Sequence, residues 1–281
     1  MAVRRTKTVS VLDADRDLAG RLTAAALAAA RHNAIASVFT LRPGELDPRS
    51  WGGIADGHLG FLVLSGLLTR SVTVLDRTSI ELLGAEDLLR PWEEGAEDAS
   101  VPREVSWSVL QSAQIAVLDQ RFARRVARWP EIAAALLDRM FGRVQRLSFH
   151  VAILENPRVE VRLVLLFWQL ADRWGHMGPE GVTLPLRLTH QALGRLVRAQ
   201  RPSVTASLRG LAERGLIQRD DTGFWLLRGN VSEHLGALAA GARAFRTGSL
   251  DRAGARRGRR DGRPVSGKVS SPLPPRLPDP G

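Results

Sequence analysis

The 281-residue sequence contains no cysteine. This absence excludes disulfide bonds, thiolate catalysis and any iron–sulfur cluster or haem held by cysteine ligands. No apolar run approaches the roughly 18 residues that a membrane-spanning helix needs. The alanine-rich stretch at 24–30 follows basic residues, as in a signal peptide, but Asp13, Asp15 and Asp17 lie among them and the run is short. We therefore expect a cytoplasmic protein with no membrane partner.

Lysine is nearly absent, since only Lys7 and Lys268 among the 40 basic residues are lysines. The formal net charge of the chain is +11. Arginine binds phosphate and guanine bidentately, so this bias is typical of a protein with a polyanionic partner. A GC-rich genome explains the preference for arginine equally well, but it does not explain the net positive charge. Residues 246–281 hold nine basic and three acidic residues, a net charge of +6, and few apolar ones. This composition predicts a basic, disordered tail.

The first half of the chain favours a helix followed by short strands. Residues 13–33 favour a helix, and β-rich runs with glycine and proline turns follow at 35–46 and 58–84. Residues 106–119 are predicted to close the sheet, and the acidic stretch 90–105 is predicted to be a loop. Short strands separated by glycine turns indicate a small antiparallel barrel or jelly roll.

A long helical pattern begins at Pro130 and ends at Asn156-Pro157. Apolar residues recur in it at steps of three or four, close to the α-helical period. They are Ile132, Leu136, Met140, Val144, Leu147, Val151 and Leu154. A helix with one continuous apolar stripe requires a partner along its whole length. It could pack on its own barrel, but we favour pairing with the same helix of a second copy. The next helix, at 158–174, is apolar on most sides and is predicted to be buried.

Residues 188–217 hold two short helical patterns joined by a few polar residues. Thr189 is predicted to cap the first helix, and the second begins near Arg201 or Pro202. Val204, Leu208 and Leu211 share its inward side, and its other side is small and basic. This face suits a helix that enters a DNA major groove. The predicted DNA-contacting residues are Thr189, His190, Gln191, Arg201, Pro202, Ser203, Thr205, Ala206 and Arg209.

Individual roles follow from the chemistry of these side chains. Arg201 and Arg209 could bind guanine edges or phosphates, and Thr205 and Ala206 could contact a thymine methyl group. Residues 215–227 then favour a strand, a turn and a second strand, which completes a winged helix-turn-helix. The tip of this hairpin is acidic, so Arg219 and Arg228 beside it are better candidates for phosphate contacts.

The sequence LTHQALGRLVRAQRPSVTASLRGLAERGLI, residues 188–217, resembles the helix-turn-helix of the Crp/Fnr family of bacterial transcription regulators. Weaker similarities lie at FTLRPGEL (39–46), FLVLSGLLTRSVTV (61–74), LLGAEDLL (82–89) and IAVLDQRFARRVARWPEI (115–132). The resemblance implies an α+β protein with an antiparallel β-roll sensor, a long dimerisation helix and a winged helix-turn-helix. It also implies a homodimer that binds double-stranded DNA near promoters, contacts RNA polymerase and responds to a small signal.

The corresponding domains are an N-terminal helix with the β-roll sensor at 1–129, the dimerisation helix at 130–157 and the DNA-binding domain at 158–230. In cyclic-AMP-responsive members a glutamate follows the first arginine of the recognition helix, and another arginine comes four residues later. Here those positions hold Pro202 and Ala206, so the resemblance does not carry over the operator sequence.

The sensor departs from the family's cyclic-nucleotide cassette. The Gly-Glu pair that binds the ribose is replaced by Arg90-Pro91. Arg103 falls near the phosphate position, but the following Glu104 would repel an anion. Ser148 on the long helix corresponds to the residue that contacts the adenine. The possible effector-binding residues are therefore Arg90, Arg103 and Ser148, and the sequence predicts neither cyclic AMP nor any other definite cofactor. The sequence does not exclude a haem group, because His58 could serve as an iron ligand.

Two other functions are weighed against this one. A metal-dependent cupin enzyme needs two or three histidines inside the barrel, and between residues 35 and 119 there is only His58. No Ser-His-Asp pattern, P-loop or G-x-G-x-x-G is present, so we predict no catalysis and no metal site. The alternative function is an architectural protein whose basic tail, 246–281, binds nucleic acid without sequence preference.

Overall fold

The computed structural model describes residues 4–47, 58–91 and 100–240. Met1–Val231 form one compact unit and Ser232–Gly281 a second. All elements named below belong to the first unit. The predicted tail at 246–281 and the middle of the predicted loop at 90–105 lie outside the described residues. Within the described part of the chain, no helix combines the length and the apolar character that crossing a membrane requires.

The N-terminal segment begins with a strand that the sequence did not indicate, β1 at Arg4–Ser10. The single helix predicted at 13–33 is wrong. It is divided into α1 (Val11–Ala14), a 3-10 turn (Arg16–Ala19) and α2 (Ala24–Asn33). At the first break the backbone of Asp15 is extended, and its carboxylate pairs with Arg139 of the later long helix, 2.8 Å away.

The other strands of the β-roll are β2 (Ile35–Leu41), β3 (Gly44–Leu46), β4 (Gly60–Val74), β5 (Arg77–Gly84), β6 (Leu88–Leu89) and β7 (Glu104–Leu118). They form one antiparallel sheet with β1 in the order β1-β2-β7-β4-β5, in which β3 also pairs with β7 and β6 with β4. Register shifts interrupt the β4–β7 ladder between Val63 and Leu68. Gly66 in this bulge has φ +92°, and a Cβ there would lie 2.3 Å from the Ser112 carbonyl oxygen. Only glycine fits at position 66, where the bulge in β4 brings its backbone this close to β7.

Two helices follow the sheet. Asp119 caps α3 (Gln120–Val126) by accepting a 2.7 Å hydrogen bond from the Phe122 amide. The long helix α4 spans Pro130–Leu154, as the sequence predicted. Its first turns bury Ile132 and Leu136 in a cluster with residues of α1, α3 and the sheet. The N-terminal half of α4 is therefore anchored on its own β-roll.

This packing corrects the predicted dimer stripe. Ile132 and Leu136 are buried in the core of the same chain, and Met140 packs against that core. The predicted stripe contains three consecutive steps of four residues, and each step turns the position by about 40° around the helix. The stripe therefore winds from the inward side to the outward side. Val144, Leu147 and Val151 are exposed, whereas Leu154 is half-buried.

The exposed apolar face of α4 begins at Leu137, one residue after Leu136 of the predicted stripe. Leu137, Phe141, Val144 and Val151 are 57%, 65%, 59% and 58% exposed. With Ser148 they follow one another at steps of four, three, four and three residues. This alternation is the heptad pattern of a coiled-coil seam. We refer to Leu137, Phe141, Val144, Ser148 and Val151 as the heptad face.

The C-terminal part starts with α5 (Val159–Trp174), which buries Leu163 and Phe167. The hairpin of β8 (His176–Gly178) and β9 (Gly181–Leu184) follows, then α6 (His190–Leu196) and α7 (Arg201–Glu213). The strands β10 (Ile217–Arg219) and β11 (Trp225–Leu227) complete a sheet in the order β10-β11-β9-β8. Trp225 packs on Phe167 with ring centroids 5.0 Å apart. The predicted α+β class, a β-roll followed by a long helix and a winged helix-turn-helix, is confirmed.

Candidate nucleic-acid interface

A side-chain cap begins the first helix of the helix-turn-helix, and a tight turn joins it to the second. The Thr189 hydroxyl accepts a 3.1 Å hydrogen bond from the Ala192 amide and so caps α6. At the other end of α6, the Ala199 amide donates to the Gly194 carbonyl oxygen. A Cβ on Gly194 would lie 2.6 Å from the Ala199 carbonyl oxygen, so the turn requires glycine there. Arg198 in the turn has φ +49°, a left-handed conformation that lets the chain reverse within four residues.

The second helix, α7, is divided between a buried side and an exposed side. Val204, Leu208 and Leu211 are buried, as the sequence predicted. The six residues of α7 that the sequence assigned to DNA are all exposed. They are Arg201, Pro202, Ser203, Thr205, Ala206 and Arg209. Thr189, the N-cap residue of α6, and Gln191 are exposed as well, and His190 is half-buried. Eight of the nine predicted residues are therefore exposed, and a contact between His190 and Thr205 joins the two helices.

The start of α7 suits a negatively charged partner. Gln200 occupies the N-cap position without a side-chain cap bond, and Pro202 has no backbone N–H. The remaining amides of the first turn lack helical partners and carry the positive end of the helix dipole. The exposed Arg201 adds a full positive charge at the same place.

His190 links the two helices across this surface. Its Nδ1 lies 2.9 Å from the Thr205 hydroxyl oxygen. Burial lowers the pKa of the His190 imidazole, and the positive charges of Arg219 and Arg201 lower it further. Arg219 on β10 and Arg201 at the start of α7 thus place two positive charges near the same imidazole.

The carboxylate of Asp220 forms its hydrogen bonds within the turn between β10 and β11. One carboxylate oxygen of Asp220 accepts hydrogen bonds from the Thr222 hydroxyl at 2.6 Å and from the Phe224 amide at 2.8 Å. These bonds, that of the Thr222 hydroxyl foremost, lower the pKa of Asp220. Arg219 lies 5.5 Å from the ring centroid of Trp225. On the same hairpin, Arg228 donates to the Gln218 side chain at 2.8 Å.

The structure adds two observations on arginines near the interface, one on Arg209, which was predicted, and one on Arg187, which was not. Arg209 forms a 2.8 Å ion pair with Glu213, one turn further along α7. Both side chains are well exposed, so this pair is weak and can open for another partner. Arg187 was not predicted, although it lies exposed before α6 and 5.6 Å from the ring of Phe224. Its position between Leu186 and Leu188, which are both buried, is the alternation that would have revealed it.

The three possible effector-binding residues do not converge in the described structure. Arg90 follows Leu89, which pairs with Phe61, whereas Arg103 precedes Glu104, which pairs with Thr73. Arg90 and Arg103 are thus at opposite ends of β4. Ser148 lies on the exposed heptad face of α4, not on the side that packs against the sheet.

An ion-pair ladder that the sequence analysis missed holds α4 on the β-roll. Arg139 donates to Asp15 at 2.8 and 3.1 Å. Arg143 binds both carboxylate oxygens of Glu81, at 2.6 and 2.7 Å. Arg146 donates to Asp87 at 2.8 Å. The three arginines, hereafter the arginine ladder, lie on the side of α4 opposite the heptad face. Their spacing of four and three residues was the available signal.

The acidic partners of the ladder are unequally buried. Asp87 is fully buried in the glycine-led turn that follows β5, where it also accepts a 2.9 Å hydrogen bond from the Gly84 amide. Burial raises the pKa of Asp15, and its ion pair with Arg139 offsets part of this effect. Among the described residues, no group of three or more histidine, aspartate or glutamate side chains could hold a metal ion.

Comparison with known proteins agrees with this architecture. A family model described as the Crp-like helix-turn-helix domain matches residues 161–228. The global nitrogen regulator of Synechococcus elongatus is 31% identical over 88 residues, which are 31% of this chain and 40% of that protein. The match thus spans less than half the length of this curated relative.

Solved structures match over a larger part of the chain. A mutant of CooA from Carboxydothermus hydrogenoformans gives a TM-score of 0.55 at 17% identity and covers 83% of this chain and 97% of that one. FixK2 from Bradyrhizobium japonicum gives a TM-score of 0.53 at 16% identity, with 72% and 96% covered. At these identities the likeness shows the fold.

The fold and the matched domain define a β-roll protein with a C-terminal winged helix-turn-helix. Residues 161–228 match the Crp-like helix-turn-helix domain, and the predicted resemblance to the Crp/Fnr family is confirmed.

Proposed function

We propose that this protein is a sequence-specific DNA-binding transcription regulator that acts as a homodimer on a palindromic promoter site. The observation that carries the proposal is the exposed face of α7. From Arg201 to Arg209, every exposed residue of this helix is small, polar or basic, and Arg201 lies at its N-terminal end. A helix of this kind enters the major groove end-on, with its first turns against the base edges.

The heptad face supports the dimer. Four large apolar side chains on one helix, each more than half exposed, are costly in water and fit a second copy of the same helix. A twofold dimer presents two copies of α7 to half-sites about one helical turn apart. On this account residues 1–129 are the sensor, 130–157 the dimerisation helix and 158–230 the DNA-binding domain.

The remaining partners follow from the proposed role. A regulator of this family acts at promoters, so we propose RNA polymerase as a partner and the cytoplasm as the place of action. A small signal would act by binding one conformation of the dimer more tightly than the other. Cyclic AMP is not the proposed signal, because the cassette positions hold Arg90-Pro91 and Arg90 and Arg103 do not converge in the described structure.

Selection of binding sites from random duplex DNA tests the proposal. Purified protein is used at physiological salt, with and without cyclic AMP, alongside a variant truncated after residue 245. We expect a palindromic motif from both proteins, unchanged by cyclic AMP. Uniform, salt-sensitive retention of all sequences that disappears on truncation would support the alternative function, a non-specific nucleic-acid binder driven by the basic tail.

A further inference from the structure

A cleft that is partly open to solvent lies where β5, α4, α5 and α6 meet. Leu166, Leu170 and Trp174 of α5 form one wall, with Leu82 of β5 and Leu196 of α6 around them. Most of the lining is therefore apolar. A partly open apolar cleft with a few convergent polar groups has the usual build of a small-molecule site.

The charged side chains in and around the cleft include more guanidinium groups than carboxylates. Asp87 accepts from Arg146 at 2.8 Å through one carboxylate oxygen and from Arg173 at 2.9 Å through the other. One buried carboxylate thus serves two guanidinium groups. Glu81 also lines the cleft, but Arg143 binds both of its oxygens.

The two arginines differ in what else holds them. Arg173 is 12% exposed, donates to the Ala85 carbonyl oxygen and lies 4.4 Å from the ring centroid of Trp174. Arg146 is 37% exposed and lines the cleft. Burial lowers the pKa of Arg146, and repulsion by Arg173 lowers it further. An additional anion in the cleft would relieve this repulsion, because a partly desolvated charge is costly without a matching partner.

We propose that this cleft binds a small apolar carboxylate, with the carboxylate on Arg146 and the apolar body against Leu166, Leu170 and Trp174. Such a ligand would contact the sensor through β5, the long helix through α4 and the helix-turn-helix through α6. It would therefore stabilise this particular arrangement of the three elements. Its role as an effector rests on the proposed function, whereas its binding does not.

Isothermal titration calorimetry of the full chain with 3-phenylpropanoate tests the proposal without DNA. The amine 3-phenylpropylamine and the alcohol 3-phenylpropan-1-ol match its apolar body and differ in charge. We expect saturable binding of the carboxylate at one per chain and weaker binding of the other two. Arg146→Gln should weaken carboxylate binding by about tenfold, because a charge-assisted hydrogen bond is lost. Arg21→Gln is the matched control, since Arg21 pairs with Asp138 on the surface.

Three results would overturn the proposal: no saturable heat with the carboxylate, equal affinity for the amine, or equal affinity of Arg146→Gln and the unaltered protein. The comparison of carboxylate with amine needs only the unaltered protein, so it decides the matter even where Arg146→Gln does not fold. Since no DNA is present, a failure here is separate from a failure of the DNA-binding function.

Discussion

The imidazole of His190 at the start of α6 lies 2.9 Å from the hydroxyl of Thr205 on α7. Thr205 is exposed on the face that we assign to DNA, and Arg201 and Arg219 act electrostatically on the same imidazole. The hydrogen bond therefore places a titratable group within the positive potential of the interface.

We predict that DNA affinity depends on pH through His190. In the free protein, burial and the two arginines lower its pKa below the ordinary 6.5. Bound phosphates would offset the charge of the arginines and raise the pKa, so the complex holds more protons than the free protein between the two pKa values. Affinity should rise as the pH falls from neutral and level off below the pKa of the free protein. Fluorescence anisotropy across this pH range measures it.

The control variants separate this effect from other titrations. His190→Gln keeps a hydrogen-bonding side chain but does not titrate, so the pH dependence should disappear. His32→Gln removes an exposed histidine of α2, far along the chain from α6 and α7, and should leave it unchanged. A pH dependence that survives in His190→Gln would refute the assignment.

Arg201→Ala should weaken binding to the selected site by roughly 1–3 kcal/mol and relax the preference at one base position. The guanidinium lies at the start of α7, where a base contact depends on one sequence position. Binding assays on the selected site, its single-base variants and random DNA distinguish the roles. Arg77→Ala, which removes an exposed arginine at the start of β5, is the control. An equal loss on every sequence would show Arg201 to be a phosphate contact.

Val144→Glu should disrupt the dimer, because two carboxylates would meet at the centre of the heptad face. Val144 is 59% exposed, so the folded chain tolerates the charge. Analytical ultracentrifugation should find a monomer and DNA titration a loss of affinity for the palindrome. Gln145→Glu adds the same charge one residue away, off the heptad face, and should stay dimeric. A dimeric Val144→Glu variant would place the interface elsewhere.

Gly84→Ala should destabilise the protein by about 1–3 kcal/mol, as expected for overpacking. A Cβ on Gly84 would lie 2.7 Å from Cζ2 of Trp174 on α5. Urea denaturation measures the change in the free energy of unfolding. Adding Trp174→Leu should recover part of the loss in a double-mutant cycle. Gly178→Ala, whose Cβ would meet its nearest neighbour at 3.6 Å, should cost less, and an equal cost would argue against the contact with Trp174.

The features that the sequence predicted correctly are those that local periodicity determines. The two faces of α7 follow from the positions of Val204, Leu208 and Leu211 within thirteen residues, and the structure has them as predicted. The apolar stripe of α4 was harder, because it continues over 22 residues and winds from Ile132 on the inward side to Val144 on the outward side. Periodicity shows that a helix has apolar residues, but not which neighbour each one contacts.

The features that the sequence did not predict depend on contacts between distant parts of the chain. β1 forms because β2 offers an edge to pair with, and nothing within Arg4–Ser10 requires that partner. The pair of Arg146 and Asp87 joins residues 59 positions apart, so neither side chain signals the other in the sequence. The cleft that they line was for the same reason absent from the sequence-based prediction.

The ratio of dissociation constants for random duplex and for the selected palindrome, at one physiological salt concentration, tests the central claim most directly. Sequence-specific regulators reach ratios of at least roughly 10³. The account predicts a ratio of that order for the full chain, and also for the chain truncated after residue 245, because α7 reads the sequence. A ratio near one in both proteins would contradict it.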